Sequence, residues 1–167
     1  GKTITIEIEN LSAEDFTENR WTTRHPLYSY NSSNPENWTR LSYGNFSAGN
    51  SQTKNFSITI APSQDKIWFV PVPPYTTSMR DNLFNSYSSS PYLNISSLGT
   101  TLSGKNMTIA TITDSRYSDN NKFKIYVIAQ EHSFEVVGSY QAEGMIEFLL
   151  SENETAQALR RSYIFKI

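Results

Sequence analysis

Hydrophobic and polar positions alternate at both ends of the first seventy residues. Ile4, Ile6 and Ile8 stand against Thr3, Thr5, Glu7 and Glu9, the period of two that marks a half-buried strand. Phe56, Ile58 and Ile60 repeat the alternation against Ser57 and Thr59, and Lys66 to Val70 reads as a third strand stopped by Pro71 and Pro73. Between them runs a long polar stretch, roughly residues 10 to 54, carrying Trp21, Tyr28, Tyr30, Trp38 and Tyr43. These aromatics predict short, irregular strands with rings used for core packing rather than as a ligand platform. Residues 1–72 are therefore expected to be all-β.

The period changes after Pro73 and Pro74. Thr76 is placed to cap a helix with Met79, Leu83 and Tyr87 on one face, ended by Ser88-Ser89-Ser90-Pro91. Two strands follow near Asn94–Leu98 and Met107–Thr113, joined by a glycine-containing turn. A polar loop over residues 114–121 leads to Phe123–Ala129, apolar apart from Lys124, the pattern of a strand covered on both faces. Ala142, Met145, Ile146 and Leu149 then recur at helical spacing, and Tyr163–Ile167 reads as an inner strand. Strand, helix and strand predict one crossover unit with parallel strands, right-handed by the usual rule.

His132 and Glu135 fall on the turn between the end of that strand and the start of the helix, where ligand and metal sites collect in open α/β sheets. An imidazole and a carboxylate three residues apart can reach one metal ion if the turn folds both side chains the same way. Zinc accepts this mixed nitrogen and oxygen set, and catalytic zinc usually has three protein ligands. The competing assignment is plain: Glu135 supports the first helical turn through the dipole, and His132 is a loop residue.

The residues around the pair bear on that choice. Ala129-Gln130-Glu131-His132-Ser133-Phe134-Glu135, then Gly138-Ser139, then Glu143 to Leu150, resembles the first zinc-ligand segment of metallocarboxypeptidases. The likeness is to the cytosolic-carboxypeptidase-like branch. Pro74-Tyr75-Thr76, the Leu98-Gly99 to Thr113 stretch, and Ala156 to Ile167 resemble further elements of that branch in the same order, over about residues 66 to 167. Trp38-Thr39-Arg40 resembles an element of the small β-sandwich that precedes its peptidase domain.

The resemblance implies an N-terminal antiparallel β-sandwich over 1–72, then over 73–167 the first portion of a mixed-sheet α/β carboxypeptidase domain. It also implies that His132 and Glu135 are zinc ligands, and that a peptide or protein C-terminus is the substrate. Zinc would polarise the scissile carbonyl, and a glutamate would act as general base. Ser133-Phe134 departs from the family's usual Pro-Gly, and a phenylalanine there is bulkier and resists positive φ. Ser133, Phe134 and Ser139 are the adjoining candidates for supporting or subsite roles.

By the same resemblance, the third ligand, the carboxylate-holding residues and the general base lie beyond Ile167, so the catalytic residues are unknown from this chain. His25, the other histidine, sits in a polar stretch and is not expected to be a ligand. An inner strand at the end of the chain suggests the amino-terminal part of a larger enzyme. Its remainder is either contiguous in the gene or a separate chain, and the segment alone is expected to be inactive. Two alternatives stay open: a non-catalytic binding or adhesion module built on the sandwich, and a zinc-dependent deacylase of the same fold.

Composition narrows the classes. A 37% hydrophobic and 13% aromatic content supports a packed core. A formal net charge of −2 without a basic block argues against nucleic-acid binding, and no apolar run approaches membrane-spanning length. Cysteine is absent, which rules out disulfides and says little of compartment. Asn-x-Ser/Thr triplets begin at Asn10, Asn31, Asn37, Asn45, Asn55, Asn94, Asn106 and Asn153, an outcome expected by chance in so Asn-, Ser- and Thr-rich a chain. With Gly1 in place of a starting methionine, export is slightly favoured over a cytoplasmic location.

Overall fold

A computed structural model describes residues 2–9, 25–31, 37–42, 44–48 and 55–167. Trp21, Tyr43 and the Asn10 triplet lie outside the described residues. The chain divides into two compact units, Gly1–Pro74 and Tyr75–Ile167.

The first unit is built from two antiparallel sheets. Strands β1 (Ile4–Ile8), β4 (Phe46–Ala48) and β5 (Phe56–Ile60) form one, in the order β1-β5-β4. Strands β2 (Leu27–Ser29), β3 (Thr39–Arg40) and β6 (Trp68–Val70) form the other, in the order β3-β2-β6. The alternating isoleucines set the register, Ile4 opposite Ile60, Ile6 opposite Ile58 and Ile8 opposite Phe56. A one-residue slip would turn every one of them to the other face. Leu41, Phe56 and Ile58 are buried, and Tyr28 and Phe69 of the second sheet pack against them beside Phe46 and Ile60 of the first. The two sheets thus share one core, as in a β-sandwich. Of the aromatics of the polar stretch, Tyr28 packs on this core and meets Tyr30 edge to face at 5.7 Å.

The second unit is a mixed four-stranded sheet with helices. Helix α1 (Thr77–Ser86) begins at the Thr76 cap, whose hydroxyl accepts from the Met79 amide at 3.3 Å. Strands β7 (Leu93–Thr100) and β8 (Asn106–Ile112) form a hairpin with an irregularity between Ser97 and Gly99, and Gly104 takes φ 77° in its turn. Then come β9 (Phe123–Tyr126), α2 (Val136–Leu150), α3 (Glu154–Ser162) and β10 (Tyr163–Lys166). Sheet order is β7-β8-β10-β9, so β10 is an inner strand, antiparallel to β8 and parallel to β9. Leu83 of α1 and Ile146, Leu149 and Leu150 of α2 close on Ile112 and Phe165 of the sheet.

One expectation is not met in β9. The apolar run predicted a strand covered on both faces, yet Phe123 is 70% exposed and Tyr126 and Ile128 are exposed too. The reason is position: β9 stands at the end of the strand order, and among the described residues only β10 pairs with it. In place of apolar cover, α2 and α3 are tied together by Arg160. Its buried guanidinium donates to the carbonyls of Leu149 and Ser151, and it lies 4.0 Å from the ring centre of Tyr92.

Candidate functional site

The turn that follows β9 owes its shape to one departure from regular backbone and one close approach. Gln130 adopts φ 57°, and the chain then loops through residues 131–134 into α2. Gly138 lies in the first turn of α2, where an added Cβ would come within 3.3 Å of the Gln130 nitrogen and 3.8 Å of the Ala129 Cα. Glycine at this position is what permits the helix to approach the end of the strand so closely. The positive φ falls on Gln130, so the Ser133-Phe134 pair is accommodated without placing Phe134 there.

His132 and Glu135 meet on this turn. His132 Nδ1 lies 3.1 Å from Glu135 Oε1, and the His132 amide donates to Glu135 Oε2 at 3.3 Å. The Glu135 amide in turn donates to the His132 carbonyl at 3.0 Å. Both side chains face solvent, 64% and 46% exposed. Glu135 occupies the N-cap position of α2, but its carboxylate makes no capping bond to the helix. It is turned to His132 instead, and the hydrogen bonds from His132 hold its pKa below the usual carboxylate range. The ring of Phe134 stacks beside the imidazole, 6.0 Å between centroids and 11° between planes.

Zinc bonds to nitrogen and oxygen run about 2.0–2.2 Å in a tetrahedral site, which sets neighbouring ligand atoms roughly 3.3 Å apart. The separation of Nδ1 and Oε1 fits that spacing, and both atoms are reachable from solvent. The donor chemistry is suited to zinc but covers only part of a ligand set. Among the described residues, no group of three or more His, Cys, Asp and Glu gathers. His25 belongs to the first unit, where its Nδ1 lies 3.0 Å from the Leu41 carbonyl and its ring meets Phe46 edge to face.

Of the other candidates, Ser139 is buried and its hydroxyl donates to Gln130 Oε1 at 2.6 Å, while the Ser133 carbonyl accepts from Gln130 Nε2 at 3.2 Å. Gln130 was not singled out by sequence reasoning. Nothing in its residue type signals a left-handed backbone, which Asn, Asp and Gly favour. A cavity of about 170 Å³ lies in the same unit, lined by Tyr75, Arg80, Ser139, Glu143, Ile146 and Ile167 among others. Burial pushes the Tyr75 hydroxyl above its ordinary pKa, and the Glu143 carboxylate beside it adds to the effect.

The zinc carboxypeptidase family profile matches residues 76–167. The chain belongs to the zinc carboxypeptidase family.

Human cytosolic carboxypeptidase 1 is 32% identical over 128 residues, a match spanning 69% of this chain and 10% of that protein. Cytosolic carboxypeptidase 2 of Xenopus tropicalis is 32% identical over 114 residues. Among solved structures, a candidate carboxypeptidase A from Shewanella denitrificans OS-217 is 25% identical, with a TM-score of 0.83 over 100% of this chain and 41% of that one. A metallo-carboxypeptidase from Burkholderia cenocepacia has the same fold at 22% identity, with a TM-score of 0.82. The chain thus spans about a tenth of the curated relatives' length and about two fifths of the solved ones.

The zinc carboxypeptidase fold accounts for the mixed α/β architecture of the second unit. The family is zinc-dependent and acts on peptide substrates. The expectation of an exported protein is corrected: the curated relatives are cytosolic carboxypeptidases, which point to the cytoplasm. The composition misled because absent cysteine and abundant Asn, Ser and Thr fit either compartment. No helix among the described residues is long and apolar enough to cross a membrane.

Proposed function

We propose that His132 and Glu135 are two ligands of a catalytic zinc, and that this chain is the amino-terminal part of a metallocarboxypeptidase hydrolysing C-terminal peptide bonds. The observation that carries this reading is the 3.1 Å approach of an imidazole nitrogen and a carboxylate oxygen on one exposed turn, inside the segment matched to the family. When bound, zinc supplies a Lewis acid that polarises the carbonyl of the bond to be broken.

The chain's own residues prepare that step. Hydrogen bonding from His132 lowers the Glu135 pKa, which favours the anionic form a ligand needs. The hydrogen bond from the His132 amide to Glu135 Oε2 orients the carboxylate, so that Oε1 is presented beside Nδ1. Phe134 covers one side of the imidazole and limits the directions from which a substrate chain can approach. A third ligand and a general base come from outside this segment, either further along the same polypeptide or on a separate chain.

The test has two arms. The 167-residue chain given C-terminal peptides and zinc releases no amino acid above the blank. In a protein carrying this segment within a complete peptidase domain, H132A and E135A each abolish release and remove bound zinc. Retention of activity and zinc in both variants would refute the assignment. Turnover of acylated amino acids but not of peptides would convert the reading to a deacylase.

A further inference from the structure

We propose that Gln130 is a positioning residue, a latch that holds the His132–Glu135 turn against the start of α2 before any metal arrives. Its consequence for metal affinity rests on the zinc reading above; the latch itself does not.

A strained backbone, one close approach and two side-chain hydrogen bonds converge on this residue. Its backbone sits at φ 57°, a conformation that glutamine has no intrinsic reason to adopt and that surrounding structure must enforce. Its amide nitrogen lies against Gly138, where any side chain would have to displace backbone. Its side-chain amide is used at both ends, accepting from Ser139 on α2 and donating to the carbonyl of Ser133, which lies between His132 and Glu135. Ser139 is buried, so its hydroxyl loses a partner if the glutamine is removed.

The bridge therefore joins a fixed point, the buried face of α2, to the middle of an otherwise exposed turn. A turn held by its own short-range bonds alone would sample conformations in which Nδ1 and Oε1 point apart. Ordering it in advance removes that cost from metal binding, as residues surrounding metal ligands commonly do. Sequence inspection could not weigh this, because a glutamine two residues before a histidine looks like solvated surface.

The test uses Gln130→Gly and Ser139→Ala in the 167-residue chain. Glycine tolerates the φ of position 130, so the first variant removes the amide without straining the backbone. Metal-free amide exchange at Glu135 and Gly138 is expected to quicken in both variants by more than exchange at the hydrogen-bonded sheet amides of Ala110 and Ile167, with a small drop in thermal midpoint in Gln130→Gly from the unpartnered Ser139 hydroxyl. Zinc affinity is expected to fall about 10-fold, and the visible spectrum of the cobalt(II)-substituted chain to shift. Exchange at both amides that stays at the parent rate in both variants overturns the latch. So does a quickening of equal size at the Ala110 and Ile167 amides, which would mark general opening of the unit rather than release of the turn. If exchange quickens but zinc binding in the parent chain is insensitive to H132A and E135A, the latch stands and the zinc reading fails.

Discussion

Two carboxylates of the second unit, Asp114 and Glu135, are both held below their ordinary pKa by a neighbouring base, yet their settings are opposite. Asp114 has a side chain 4% exposed. It accepts two bonds from the Arg116 guanidinium, at 2.9 and 2.7 Å, and lies beside Lys122, whose ammonium donates to Thr113, to the Asp114 carbonyl and to Asp119. Glu135 stands in solvent and meets a single imidazole. The first arrangement satisfies buried polar groups several times over, which is the condition for burying charge at all. The second leaves donor atoms reachable from outside and spends no burial on them. The cluster at Asp114 closes on itself, whereas the pair at Glu135 stays open to solvent.

If that contrast is right, variants should divide sharply between stability and metal. The largest loss of stability is expected from Arg160→Ala. It strips the bonds to the Leu149 and Ser151 carbonyls and the stack on Tyr92, at a cost of about 3 kcal/mol, read as the denaturant midpoint. Asp114→Asn should cost about 2 kcal/mol by the same measurement, since it removes the charge from a buried hydrogen-bonded carboxylate. A smaller effect, about 1 kcal/mol, is expected on replacing the Thr76 cap with alanine.

The pH dependence sharpens the division further. Bonds from Arg116 bring Asp114 down to about 2 from an ordinary value near 3.8. A depressed carboxylate stabilises fully above its unfolded value, and that contribution is lost as pH falls through its folded one. Stability should therefore decline between pH 4 and pH 2, and Asp114→Asn should flatten that part of the curve. Glu135→Gln is expected to leave the thermal midpoint where it was while impairing zinc binding. A large loss of stability in that variant would place Glu135 with the structural charges and break the comparison.

Legibility of the fold followed the strength of the pattern. The alternating isoleucines of β1 and β5, the Thr76 cap and the inner position of β10 were readable because each follows from periodicity or a local hydrogen bond. The exposure of β9 was not, since an apolar run records what a strand is suited to meet and not what covers it among the described residues. At the site, the spacing of His132 and Glu135 placed both on one turn, and the structure brings their side chains to 3.1 Å. Their mutual orientation depends on a glutamine in a left-handed conformation and a glycine that admits close packing, and neither carries a signal along the chain.

Zinc titration of the 167-residue chain by calorimetry, beside H132A and E135A, tests the central claim most directly. The account predicts weak, saturable binding at a single site in the parent chain, lost in both variants with no change in thermal midpoint. Zinc binding that persists unaltered in both variants would contradict it.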